Sequence, residues 1–169
     1  MKLKCRTFFS PDMSRYVLFT ESVLSHMYSH AQRKLFQTEA GGEIYSRTPY
    51  YSSLVVDDAS GPHPRDRRSR RSFNPDIEAT TQARHDKYEQ GRHAVGLWHT
   101  HPERQPTPSG MDRRTTEDYF RAFNSDRERY LTVIIGNRGT VPAMTVWSTE
   151  KCGKWIRWVE RDDQLVELQ

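Results

Sequence analysis

Three prolines within seven residues, Pro102, Pro106 and Pro108, impose a fixed break on the middle of this chain. Proline locks φ and supplies no backbone donor, so neither a helix nor a regular ladder runs through the stretch. Before it lies His93 to Trp98 (HAVGLW), apolar enough for a strand. After it, Ser109 opens a predicted helix that carries Tyr119, Phe120 and Phe123 toward a core. The chain therefore passes from strand to helix through one stiff connection.

The other elements follow from periodicity. Arg15 to Phe19 is a predicted strand, and Thr20 offers an N-cap to a helix whose apolar stripe is Val23, Leu24, Met27, Tyr28, Ala31 and Leu35. Glu39 to Tyr45 contains a glycine pair that permits close backbone approach before a strand. Ser52 to Val56 is another strand candidate. Asp57 to Phe73 has the composition of a loop, and Asn74-Pro75 is expected to cap a polar helix from about Asp76 to Gln90. Tyr130 to Ile135, Ala143 to Trp147 and Trp155 to Val159 are predicted strands, the first two joined by a turn at Asn137-Arg138-Gly139. Strands and helices alternate in the first half and strands cluster in the second. The expected fold class is α/β (α+β), a mixed sheet with helices packed on it.

Length and charge exclude several alternatives. At 169 residues the chain suits one domain, and barrels of about 250 residues are excluded. A hydrophobic fraction of 34% implies a compact core with long polar loops, while 19 aromatic residues argue against a solvated chain. The net charge of +4 arises in one place, the run Arg65 to Arg71 (RDRRSRR). Removing its five arginines and one aspartate from 26 basic and 22 acidic residues leaves 21 of each. Cys5 and Cys152 have neither the spacing of a thiolate zinc site nor that of a disulfide framework. No signal-like or membrane-length apolar run appears, so a soluble, cytoplasmic protein with no membrane partner is expected.

His99 and His101 stand one residue apart at the end of an apolar strand, where the side-chain period of two turns both imidazoles to one face and Trp98 and Thr100 to the other. Past the proline connection, Asp112 falls in the first turn of the next helix. Two imidazoles, a carboxylate and an open position meet the needs of a catalytic zinc, and would also suit iron or manganese. Ser109-Gly110-Met111-Asp112 is equally a helix-capping pair. Other histidines are excluded as ligands: His93 lies about 20 Å away at ~3.3 Å per residue, and His26 and His30 lack the glutamate of HExxH and are expected at the surface.

His99-Thr100-His101, seven residues to Pro108, then Ser109 and Asp112, resemble the H-x-H-x7-S-x2-D signature of JAMM (JAB/MPN-type) zinc metalloproteases. Glu39-Ala40-Gly41-Gly42 resembles the glutamate that this family places before a glycine and a strand. The resemblance implies the MPN, cytidine-deaminase-like fold, a mixed, curved β-sheet flanked by helices, as a single domain over residues 1–169 with a basic loop and helix inserted at about 57–90. It implies one Zn2+ per chain held by His99, His101 and Asp112, with Glu39 as general acid and base and Ser109 as oxyanion donor. Glu43 competes for the base role, but the motif favours Glu39, leaving Glu43 an ordinary polar strand residue.

All five signature residues are present, which argues against a non-catalytic scaffold. Within the family, WHTHP with a proline-rich connection is similar to bacterial members of antiphage operons that also encode E1-like and E2-like proteins. The implied substrate is a ubiquitin-like protein or a conjugated nucleotidyltransferase, cleaved at the modifier's C-terminus during deconjugation or precursor processing. An insertion between the glutamate and the histidines helps related enzymes bind the distal modifier, so Arg65, Arg67, Arg68, Arg70 and Arg71 are expected to meet an acidic partner surface. The rival readings are a zinc peptidase acting on small amino-acid or cysteine conjugates, and a binding module that uses the arginines for nucleic acid.

Overall fold

The computed structural model describes residues 4–123 and 127–161. In chain order it contains β1 (Arg6–Phe9), β2 (Tyr16–Phe19), α1 (Glu21–Ser29), β3 (Gly41–Ser46), β4 (Leu54–Val56), β5 (Asp58–Ala59), β6 (Arg67–Ser69) and β7 (Ser72–Asn74). There follow α2 (Ile77–Glu89), β8 (His93–Thr100), α3 (Gly110–Ala122), β9 (Arg129–Ile135), β10 (Met144–Glu150) and β11 (Trp155–Glu160). Nine strands form one sheet in the order β4-β2-β1-β11-β10-β9-β8-β3-β5. β2 with β4 and β8 with β9 are parallel, and the other pairs are antiparallel. The sheet is mixed, curved and nearly closed, in keeping with the expected class. A parallel pair needs a crossover, which α3 supplies between β8 and β9. Among the described residues no helix is long and apolar enough to cross a membrane.

One face of the sheet packs on α1, which buries Val23, Leu24, Met27 and Tyr28 at three- and four-residue spacing against Phe8, Phe19, Ile44, Trp98 and Val133. Full burial of such a side chain contributes about 1.5–3 kcal/mol. Thr20 occupies the N-cap position, but its hydroxyl pairs with Ser22 and caps no backbone donor. The helix ends at Ser29, earlier than the stripe predicts: Ala31 is buried in the next turn, whereas Leu35 is 83% exposed. The buried Gln32 accounts for the departure. Its amide donates to the carbonyls of Gln37 and Arg70 and its oxygen accepts from Thr100, partners that a continued helix would not bring together.

The opposite face carries α3. Tyr119 and Phe123 pack on Tyr130, and the hydroxyls of Thr116 and Thr132 hydrogen-bond. Tyr119, Phe120 and Phe123 are half-buried, so this contact is shallower than the sequence predicts.

Residues 57–73, expected as a loop, contain β5 and a hairpin. β6 and β7 pair Arg67 with Asn74, Arg68 with Phe73 and Ser69 with Ser72. The cap of α2 is Asp76 rather than Asn74-Pro75, because its carboxylate accepts from the backbone of Glu78 and Ala79. Among its described residues only Thr80 of α2 is buried, so charge holds this helix to the sheet. Arg84 lies 2.7 Å from Glu43, and Lys87 lies 2.6 Å from Asp58. Glu43 is thus no ordinary strand residue: it is completely buried, forked by Arg84 and bonded by the Tyr45 hydroxyl.

Candidate metal centre

The β3–β8 register assembles the site. Gly41 lies opposite His99, the Thr100 N–H donates to the Ala40 carbonyl at 2.8 Å, and the Ala40 N–H donates to the Thr100 hydroxyl at 3.0 Å. Any side chain at Gly41 would begin 2.7 Å from the Trp98 carbonyl and 3.1 Å from the His99 Cβ, so only glycine allows this approach. Glu39, sixty residues before His99, is thereby brought beside it and is 6% exposed. Its N–H donates to the Ser69 carbonyl at 2.8 Å, which joins it to the tip of the arginine hairpin.

His99 is the penultimate residue of β8, and past Thr100 the chain stays aligned with β9 as the His101 N–H donates to the Ile135 carbonyl at 2.9 Å. Both imidazoles turn to the α3 side, while Trp98 and Thr100 turn toward α1. His26 and His30 are not free surface groups: they pack against Trp98, and the His26 Nε2–H donates to the Gly61 carbonyl at 2.7 Å. His93 packs against Tyr50 and Tyr88, outside the cluster. Cys5 and Cys152 are free and exposed.

At the start of α3, Ser109 and Asp112 form a full capping box. The Asp112 N–H donates to the Ser109 hydroxyl at 3.1 Å, and the Ser109 N–H donates to Asp112 Oδ2 at 2.6 Å. Asp112 Oδ1 meanwhile reaches 3.2 Å from His99 Nε2, and Oδ2 lies 3.6 Å from His101 Nε2. The two Nε2 atoms are 3.0 Å apart. Capping and convergence coexist, because the bond that starts the helix also aims the carboxylate.

This donor set fits a zinc ion. Tetrahedral coordination at roughly 2.0–2.2 Å sets ligand atoms about 3.3–3.6 Å apart, and the three separations observed span 3.0–3.6 Å. Among the described residues His99, His101 and Asp112 are the one such group. Their ionisation states suit the role. Burial lowers the His101 pKa, aided by His99 and opposed by Asp112 and Glu103, which favours the neutral imidazole. Burial opposes ionisation of Asp112, but His99 and Ser109 outweigh it and hold the carboxyl well below the usual range. Burial pushes Glu39 up to about 7, against the pull of His99 and with help from Asp112 and Glu103. Glu43 is also raised by burial, but Arg84 and Tyr45 occupy its carboxylate.

Of the five arginines, Arg65 is tied to Asp76 and Glu78 at the start of α2, and Arg70 donates to the Leu35 carbonyl. Arg67, Arg68 and Arg71 are exposed. The supporting roles of Thr100, Gln32 and Arg84 carried no sequence signal beyond the position of Thr100 between the two histidines.

Residues 20–150 match the family described as prokaryotic homologs of the JAB domain. The chain is 32% identical over 129 residues to the CD-NTase/cGAS isopeptidase of Pseudomonas aeruginosa (strain BWHPSA011 / Pa011), covering 74% of this chain and 80% of that protein. In fold it is similar to a protein from Desulfitobacterium hafniense of known solution structure, with a TM-score of 0.60 and 22% identity over 85% of this chain and 88% of that one. The matched region contains Glu39, His99, His101, Ser109 and Asp112. The chain thus belongs to the prokaryotic homologs of the JAB domain.

Proposed function

We propose that the protein is a zinc-dependent isopeptidase of the JAMM type that hydrolyses the bond at the C-terminus of a ubiquitin-like or similarly conjugated protein. The observation that carries this reading is the convergence of His99, His101 and Asp112 with the buried Glu39 across the β3–β8 pair. The name of the Pseudomonas relative, a CD-NTase/cGAS isopeptidase, supports a conjugated nucleotidyltransferase as substrate, and antiphage defence is part of the proposed reading. Partner E1-like and E2-like proteins and a cytoplasmic location belong to the same reading. So does a single domain over residues 1–169, with residues 57–90 as an insertion.

His99, His101 and Asp112 would hold the ion. Zinc bound there supplies Lewis-acid activation of water and of the scissile carbonyl. Glu39, buried beside His99, takes the proton of the attacking water and returns it to the leaving amine as the C–N bond breaks. Ser109 accepts a bond from the Asp112 N–H, which leaves its own hydroxyl proton available for the oxygen of the tetrahedral intermediate. The exposed Arg67, Arg68 and Arg71, on a hairpin bonded to the Glu39 backbone, would receive an acidic surface of the conjugated protein, with Arg65 and Arg70 bracing the hairpin.

The test is cleavage of a modifier fused at its C-terminus to a reporter. Wild type is expected to release the reporter, a chelator to stop release, and Glu39→Gln to bind zinc without turnover. Full activity in the chelator, or in Glu39→Gln, would refute the scheme.

A further inference from the structure

A fourth side chain addresses the same site from the proline connection. The buried Nδ1 of His101 has no hydrogen-bond partner among the described residues. An imidazole that offers Nε2 to an ion carries its proton on Nδ1, and a buried N–H calls for an acceptor. Glu103 Oε2 lies 3.8 Å from that nitrogen, so a movement of about 1 Å brings the carboxylate to hydrogen-bond distance.

Glu103 is not a loose surface group, although its side chain is half exposed. The same oxygen accepts the Thr107 N–H at 3.3 Å, and its backbone carbonyl accepts the Asn137 N–H at 2.9 Å from the loop after β9. Pro102 before it and Pro106 after it stiffen the segment. The connection thus does more than link strand to helix: it brings a carboxylate behind the imidazole.

Resting on the zinc reading above, we propose that Glu103 is a positioning residue that accepts the Nδ1–H of His101, fixing the tautomer and ring angle that aim Nε2 at the ion. Such partners strengthen the ligand as a donor, and their loss typically weakens metal affinity by about 10–100-fold. Glu103 touches neither the ion nor the scissile bond.

The experiment is zinc titration of the purified full chain against a chromophoric chelator, for wild type, Glu103→Ala and Glu103→Gln. Nitrogen NMR of the His101 ring reports the tautomer alongside. Glu103→Ala is expected to weaken zinc binding by about 10–100-fold, with the metal-free Tm unchanged and the His101 tautomers mixed. Glu103→Gln keeps an acceptor oxygen and is expected to recover part of the loss. Wild-type affinity and an unmixed tautomer in Glu103→Ala would overturn this proposal alone. A loss of affinity explained by a lower metal-free Tm would overturn it too. If wild type itself bound no zinc, both this inference and the proposed function would fall.

Discussion

Removing the charge of Glu39 is expected to stabilise the metal-free protein, and only where that carboxyl would be ionised. Burial raises its pKa from 4.5 to about 7 in the folded chain. Between those values the unfolded chain has released the proton while the folded chain retains it, so folding takes up a proton and stability falls as pH rises. The contribution is fully present below the unfolded value and is lost once pH has passed the folded one. At ~1.4 kcal/mol per tenfold change in proton affinity, the loss is about 3 kcal/mol. Glutamine at this position has no proton to release. Urea unfolding of chelator-treated wild type and Glu39→Gln, at about pH 4 and about pH 8.5, reads the effect of Glu39 and its coupling to His99, Asp112 and Glu103, because groups remote from it titrate alike in both proteins. The advantage of the variant is expected to grow by about 3 kcal/mol between the two conditions. An advantage that does not change with pH would refute the assignment of a buried, proton-retaining carboxyl.

Two further outcomes concern the arginine hairpin and α2. Arg84→Ala leaves the fully buried Glu43 without its forked partner, and breaking a buried pair this way costs about 3–5 kcal/mol, read as a lower urea midpoint; a loss below about 1 kcal/mol would show that the pair does not anchor α2. Reversing Arg67, Arg68 and Arg71 to glutamate is expected to raise KM for a protein conjugate several-fold or more, most strongly at low salt, and to leave cleavage of a short peptide nearly unchanged. Equal effects on both substrates would remove the hairpin from substrate recognition.

What could be read from the residues was mostly local. The step from β8 through three prolines to α3 is a matter of neighbours, and so are the facing of the two histidines and the capping pair. Glu39 came only through resemblance, since nothing local brings it sixty residues along the chain to His99. The hairpin was missed because Arg-Arg-Ser and Ser-Phe-Asn carry no apolar alternation; backbone pairing and the packing of Phe73 over Gly41 make it a ladder. β1 also went unread, its four residues being stabilised by β2 and β11 on either side. Glu43 looked ordinary because its partner, Arg84, is forty-one residues away on a helix with no apolar face. His26 and His30 looked exposed because Trp98, the ring that half-buries them, lies far downstream.

The capping box at Ser109 and Asp112 has a consequence for the order in which the centre is built. A free aspartate would lose side-chain freedom when an ion arrived, a cost of about 0.5–1.5 kcal/mol for an immobilised side chain. Here Asp112 has already lost that freedom in starting α3. Folding settles this carboxylate before any ion is present, so under the proposed zinc reading the third donor waits in place. A substitution at Ser109 would therefore register twice, once as a frayed helix and once as a carboxylate that must be caught.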